Sequence, residues 1–99
     1  MTCHFEKNGT SLTARPEGRL DSATSPVFEQ QLETEMEGMT DIIIDFEKIE
    51  YVSSGGLRVL LNTEQEMEEC GGSLKVIHVN DAVMEILRLV GFTDILTIE

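Results

Sequence analysis

The chain has no tryptophan, a single tyrosine, two cysteines, two prolines and two histidines, and it sets only seven lysines and arginines against nineteen aspartates and glutamates. Each scarcity excludes something. A formal charge of −12 removes the basic footprint that a phosphate backbone requires, so no nucleic-acid partner is expected. Anionic membrane surfaces are disfavoured for the same reason. Cys3 and Cys70 lie far apart and belong to no Cys-x-x-Cys pair, which leaves neither a disulfide framework nor a structural zinc site. His4, near one end, and His78, inside an apolar run, provide no base for a hydroxyl nucleophile. The glutamates between positions 64 and 69 lack the Asp-x-Asp-x-Asp-Gly order of a calcium loop. No catalytic residue, metal or cofactor is therefore expected. Low-complexity runs are missing too, and 40% of residues are apolar, as in a folded chain and unlike a disordered one.

No apolar run approaches the ~20 residues that span a bilayer, and Met1 to Lys7 carries no apolar core of signal-peptide length. A cytoplasmic location without membrane insertion is the expectation. Ninety-nine residues are expected to form one domain over residues 1–99.

What is present is organised around Asp41 to Leu61. Ile42, Ile43 and Ile44, edged by aspartates, read as a central strand buried on both faces, because a strand with one wet face would alternate apolar and polar residues. A short polar turn follows, and then Tyr51 and Val52 lead into Ser53-Ser54-Gly55-Gly56 and an apolar helical pattern. Upstream, Asn8-Gly9 is the strongest hairpin signal in the chain and joins two strands between Cys3 and Arg15. Pro16 to Thr24 punctuates, and Ser25-Pro26 starts a helix with Ser25 as cap and Pro26 in first position. Phe28, Leu32, Met36 and Met39 form its inward stripe.

In the second helix Leu57, Leu60, Leu61 and Met67 point inward, Glu64, Glu66, Glu68 and Glu69 outward, and Gly71-Gly72 ends it. A strand over Ser73–Val79 precedes a third helix, capped by Asn80-Asp81, with Val83, Ile86, Leu87 and Val90 at core spacing. Gly91 closes that helix, and 94–98 forms a last strand. The order is β-β-α-β-α-β-α-β, an α/β domain whose mixed β-sheet has helices packed against it.

Ser53-Ser54-Gly55-Gly56 places small side chains where backbone N–H groups lack intrahelical partners, a position that suits a negatively charged group. The segment lacks the lysine of a phosphate-binding Gly-x-x-x-x-Gly-Lys loop and is not a Gly-x-Ser-x-Gly elbow. On its chemistry alone an ordinary helix start accounts for it.

Three separated motifs add to this reading: Gly18-Arg19-Leu20-Asp21, Ile42-Ile43-Ile44-Asp45-Phe46, and Tyr51-Val52-Ser53-Ser54-Gly55-Gly56-Leu57-Arg58-Val59-Leu60-Leu61. Together, in this order, they resemble the STAS domain of bacterial anti-sigma factor antagonists over nearly the whole chain. The resemblance implies a non-enzymatic binding module. Its unphosphorylated form binds an anti-sigma factor serine kinase, which then releases its sigma factor, and a PP2C-type phosphatase reverses the phosphorylation. By motif position the phosphorylated serine is Ser54, with Ser53 as second candidate because it stands where the best-known members carry aspartate. Gly55 occupies a position often filled by serine, alanine or threonine. The partner-binding surface implied is Asp21, Ser53, Ser54, Gly55, Gly56 and Arg58, with Asp21 at its edge. The alternative reading is a STAS-like accessory subunit of a transport or signalling complex that docks its partner constitutively.

Overall fold

The computed structural model of the chain describes residues 2–99; Met1, the first residue of the stretch read above for a leader, lies outside them. Strands β1 (Thr2–Asn8) and β2 (Ser11–Leu20) form the hairpin, turning at Gly9, which takes φ +66° as a tight turn demands. Helix α1 (Ser25–Met36), strands β3 (Asp41–Asp45) and β4 (Lys48–Val52), helix α2 (Ser54–Cys70), strand β5 (Ser73–Ile77), helix α3 (Asp81–Leu89) and strand β6 (Thr97–Ile98) follow. The sheet runs β1-β2-β3-β5-β6; β1 is antiparallel to β2 and the other neighbours are parallel. This is the mixed α/β arrangement expected, with one strand more.

The added strand, β4, pairs with β2 instead of continuing the path. Strand β2 is long enough to serve two neighbours in turn: residues 11–14 pair with β3 and residues 17–20 with β4. Pro16 sits between the two stretches, where its missing N–H breaks no bond to either. A bulge between Gly18 and Arg19, with Gly18 at φ +99°, sets two residues of β4 against one of β2. Ile49 and Val52 are therefore both buried although three residues apart, and the broken period-2 pattern hid the strand from sequence reading.

Leu12, Ala14, Ile42, Ile44, Leu74 and Val76 occupy adjoining rows of one sheet face and are at most 3% exposed. Phe28 and Leu32 of α1, Val59, Leu60 and Met67 of α2, and Val83 and Leu87 of α3 complete the core. Thr13, Ile43 and Lys75 share a row on the opposite face and are half-buried. The isoleucine strand is thus buried fully on one face only, a correction to the reading of Ile43.

Other expectations shift in detail. Thr24 is the residue before α1 and Ser25, 3% exposed, its first residue. Leu57 and Leu61 are half-buried while Val59 and Thr63 are fully inside. Strand β5 stops at Ile77, because His78 adopts φ +56°, outside the strand region. Val90, read as core, is 47% exposed beside Leu89 and Ile95, and the final segment is a 3-10 turn, Phe92–Asp94, ahead of the two-residue β6. Glycine ends α2 as expected: Gly71 takes the left-handed conformation. Among the described residues no helix is long and apolar enough to cross a membrane.

Candidate functional site

Because β2 and β4 are parallel neighbours, the helices that follow them start side by side. Leu20, the last residue of β2, is the joint. Its carbonyl accepts the Ser53 N–H at 2.8 Å, and its Cβ lies 2.9 Å from where a Cβ on Gly56 would stand. The same added atom would meet Val52 Cγ1 at 2.7 Å, so a glycine is needed for α2 to start this close to both strands. Gly55 is less constrained: a Cβ there would contact the Ser25 Oγ at 3.3 Å. A small side chain would fit there with little movement.

Asp21 turns the chain from β2 into α1. Its Oδ1 accepts the N–H groups of Ala23 and Thr24 at 3.0 Å each, and its backbone carbonyl accepts the Ser25 N–H at 2.9 Å. The Thr24 hydroxyl accepts the Asp21 N–H and donates to the Arg19 carbonyl at 2.6 Å. The N–H groups of Thr24 and Ala23 hold the Asp21 carboxyl below the usual carboxylate range. Asp21 therefore shapes the edge of the site by fixing the loop.

Ser54 is the first residue of α2 and is exposed. Ser53 precedes it in extended conformation; its side chain makes no capping bond, and its Oγ is buried without a hydrogen-bond partner. The first intrahelical bond runs from the Leu57 N–H to the Ser53 carbonyl, so the N–H groups of Ser54, Gly55 and Gly56 are left for an outside acceptor. Ser54 and Gly55 border a cavity of about 320 Å³ whose other lining residues are Ser22, Ser25, Pro26, Glu29, Arg58 and Val59. Both α1 and α2 begin there. All the residues implied by sequence, Asp21, Ser53, Ser54, Gly55, Gly56 and Arg58, gather at this corner, with Asp21 and Gly56 acting in its scaffold. Ser25 is the residue that sequence reading missed, because a buried hydroxyl at a helix start looks like an ordinary cap.

A larger hollow of about 690 Å³ lies at the other end of α1 and α2, lined by Met36, Met39, Met67 and the carboxylates of Glu33, Glu37 and Glu66. Burial first, then a hydrogen bond with Glu33 and the charges of neighbouring glutamates, pushes the Glu66 carboxyl up. That hollow suits no anion.

Neither histidine lines the Ser54 cavity. His4 pairs with Glu17 at 3.1 Å, and His78 Nδ1 lies 2.9 Å from Asp45 Oδ1. Asp45, Glu47 and His78 bring three atoms of metal-ligand type within 4.8 Å of one another. Asp45 is already compensated, however, by the Glu47 N–H at 2.9 Å and the Arg15 Nε at 3.7 Å. Burial pulls its carboxyl up, but those partners and His78 outweigh it and leave the net shift downward. Burial, with the Glu17 charge adding to it, pushes the Cys3 thiol up to about 11 despite a backbone bond from Arg15, so Cys3 is a poor nucleophile.

Comparison with known proteins places this geometry in a family. The family model described as "Mlab, STAS domain" matches residues 3–97. The chain belongs to the STAS domain family. The anti-sigma-B factor antagonist of Bacillus subtilis is 26% identical over 93 residues, covering 94% of this chain and 85% of that protein. A crystal structure of a proposed anti-sigma factor antagonist from Thermotoga maritima superposes with a TM-score of 0.91 at 19% identity, over 97% of this chain and 84% of its own. The antagonist SpoIIAA in its unphosphorylated form matches this STAS domain with a TM-score of 0.79 at 18% identity, covering 99% and 87% of the two chains. The phosphorylated form from Bacillus matches at 0.77 and 18%, covering 99% and 91%. One fold accommodates both states of that relative.

Proposed function

We propose that this STAS domain is an anti-sigma factor antagonist that binds an anti-sigma factor serine kinase when Ser54 is unmodified and releases it when Ser54 is phosphorylated. The observation that carries this reading is the exposed Ser54 hydroxyl at an uncapped helix start, at the motif position implied by sequence. Transfer of the γ-phosphoryl group of ATP to the Ser54 Oγ gives ADP and a proton, and hydrolysis by a PP2C-type phosphatase restores the hydroxyl. Ser53 is the poorer acceptor because its Oγ is buried.

The switch follows from electrostatics. A phosphate brings about −1.5 to −2 charges, and next to helix N–H groups it is favourable by up to ~2 kcal/mol, so the fold survives modification. A partner docked over the site would have to desolvate that charge, at a cost of several kcal/mol. Such a loss corresponds to a hundredfold or greater fall in affinity.

A second reading has one observation in its favour: the matching family model is named for Mlab, not for an antagonist. In that reading the domain is an accessory subunit of a transport or signalling complex, and the serines are structural. A pull-down with wild type, Ser54→Ala and Ser54→Asp, each checked for folding, decides between them. Capture of an ATP-binding serine kinase by wild type and Ser54→Ala, with at least tenfold less by Ser54→Asp, is the expected result. Equal capture of a membrane-complex component by all three would replace it with the second reading.

A further inference from the structure

Three features of the Ser54 cavity are left without a partner inside the domain. Ser25 is 3% exposed and its Oγ has no hydrogen-bond partner, yet it lines the cavity and faces the first turn of α2. The N–H groups of Ser54, Gly55 and Gly56 are uncapped. Arg58 is unpaired in a chain rich in carboxylates: Lys7, Arg15, Lys75 and Arg88 each meet an acidic side chain and Arg19 lies over the Tyr51 ring, whereas Arg58 and Lys48 have no such partner among the described residues, and of those two Arg58 lines the cavity. Ser54 and Arg58 are four residues apart on one helix, so they share a face with Cβ atoms roughly 6 Å apart.

We propose that the phosphoryl group on Ser54 is held by its own domain, in a cradle formed by the Arg58 guanidinium, the free N–H groups of the first turn of α2 and the Ser25 hydroxyl. The inference rests on Ser54 as the modified residue and adds where the phosphate goes. A phosphate presents three acceptor oxygens, and the cradle offers only donors: a planar guanidinium fork suited to two parallel bonds, backbone N–H groups and a hydroxyl. The Glu29 carboxylate lines the same cavity, and the two acidic groups at the corner each have a donor of their own. Glu29 accepts from the Asn62 amide at 3.1 Å, and Asp21 faces the N–H groups of Ala23 and Thr24. Phosphorylation then does two things at once: it places a dianion at the docking surface, and it withdraws Arg58, the cation of the cavity, from any partner.

The test uses the full chain with phosphoserine installed at position 54 by genetic-code expansion, so that no kinase is needed. The second ionisation of the phosphate, near pH 6 in a free phosphoserine, is followed by ³¹P NMR. It is expected about one unit lower in the wild type. At least half of that displacement should disappear in Arg58→Gln and in Arg58→Ala, either of which suffices if the other fails to give a native amide spectrum. Ser25→Ala should remove a smaller part. A phosphate that titrates alike with and without Arg58 overturns the cradle while leaving the Ser54 switch intact. Failure of the switch would show instead in the pull-down with unphosphorylated proteins, which does not depend on the cradle.

Discussion

A methyl group added at Gly56 would stand 2.7 Å from Val52 Cγ1 on β4 and 2.9 Å from Leu20 Cβ on β2. Neither neighbour is the free end of a flexible chain, so α2 would have to move. Gly56→Ala is expected to cost about 1–3 kcal/mol in denaturant unfolding. Gly55→Ala, one residue earlier, should change stability by less than about 1 kcal/mol, because better helix propensity offsets a 3.3 Å approach to Ser25. The same measurement on both variants separates a packing glycine from a permissive one. Asp21 gives a residue-scale prediction of another kind. Its folded carboxyl titrates below the ordinary value of 3.8, so its contribution is present above that value and fades as pH falls through the folded one. Asp21→Ala should lower the Tm at pH 7, and the gap from wild type should close on acidification.

At the scale of elements, α1 and α2 cross the core side by side and bring Glu33 near Glu66. The Glu66 carboxyl titrates above its ordinary 4.5, so the folded state holds the proton more tightly and stability falls as pH rises through the raised value. Glu66→Gln is expected to stabilise at pH 7 by about 0.2–0.5 kcal/mol. The gain should shrink in high salt and vanish below the window, which paired thermal melts would show. Element order was largely readable from the sequence because each helix carries a period of 3.6 and most breaks carry glycine, proline or asparagine; the break between β3 and β4, Phe46-Glu47, carries none. Asn80 is a clear instance: its Oδ1 accepts the Val83 N–H at 2.8 Å, as the Asn80-Asp81 pair implied. Strand β4 was not readable, since the bulge opposite Gly18 destroys the alternation by which a strand is known. Nor was the approach of α1 to α2, which depends on that hidden pairing; so Ser25 could be seen as a helix start but not as a wall of the Ser54 cavity. Val90 was misplaced because periodicity specifies a face and not where the neighbouring elements stop.

For the molecule as a whole, the charge of −12 acts against compactness, and at Glu64 and Glu66 burial first, with neighbouring glutamate charges adding to it, pushes the carboxyls up. The downward shifts at Asp21 and Asp45 act oppositely at low pH. Stability should therefore peak on the acid side of neutrality, above the ordinary carboxylate value, and adding salt at pH 7 should raise the Tm by a few degrees. A Tm that fell with moderate salt would contradict this. The bond from the Ser53 N–H to the Leu20 carbonyl has a consequence for proton exchange with solvent. Ser53 is tied into the sheet, so its amide should open only when the strands do, whereas the amides of Ser54, Gly55 and Gly56 have no such tie. Protection should fall steeply across one peptide bond, from slow exchange to fast. A bound phosphate would slow the three fast amides and leave the slow one as it was, so adjacent residues supply both the reporter and its internal clock.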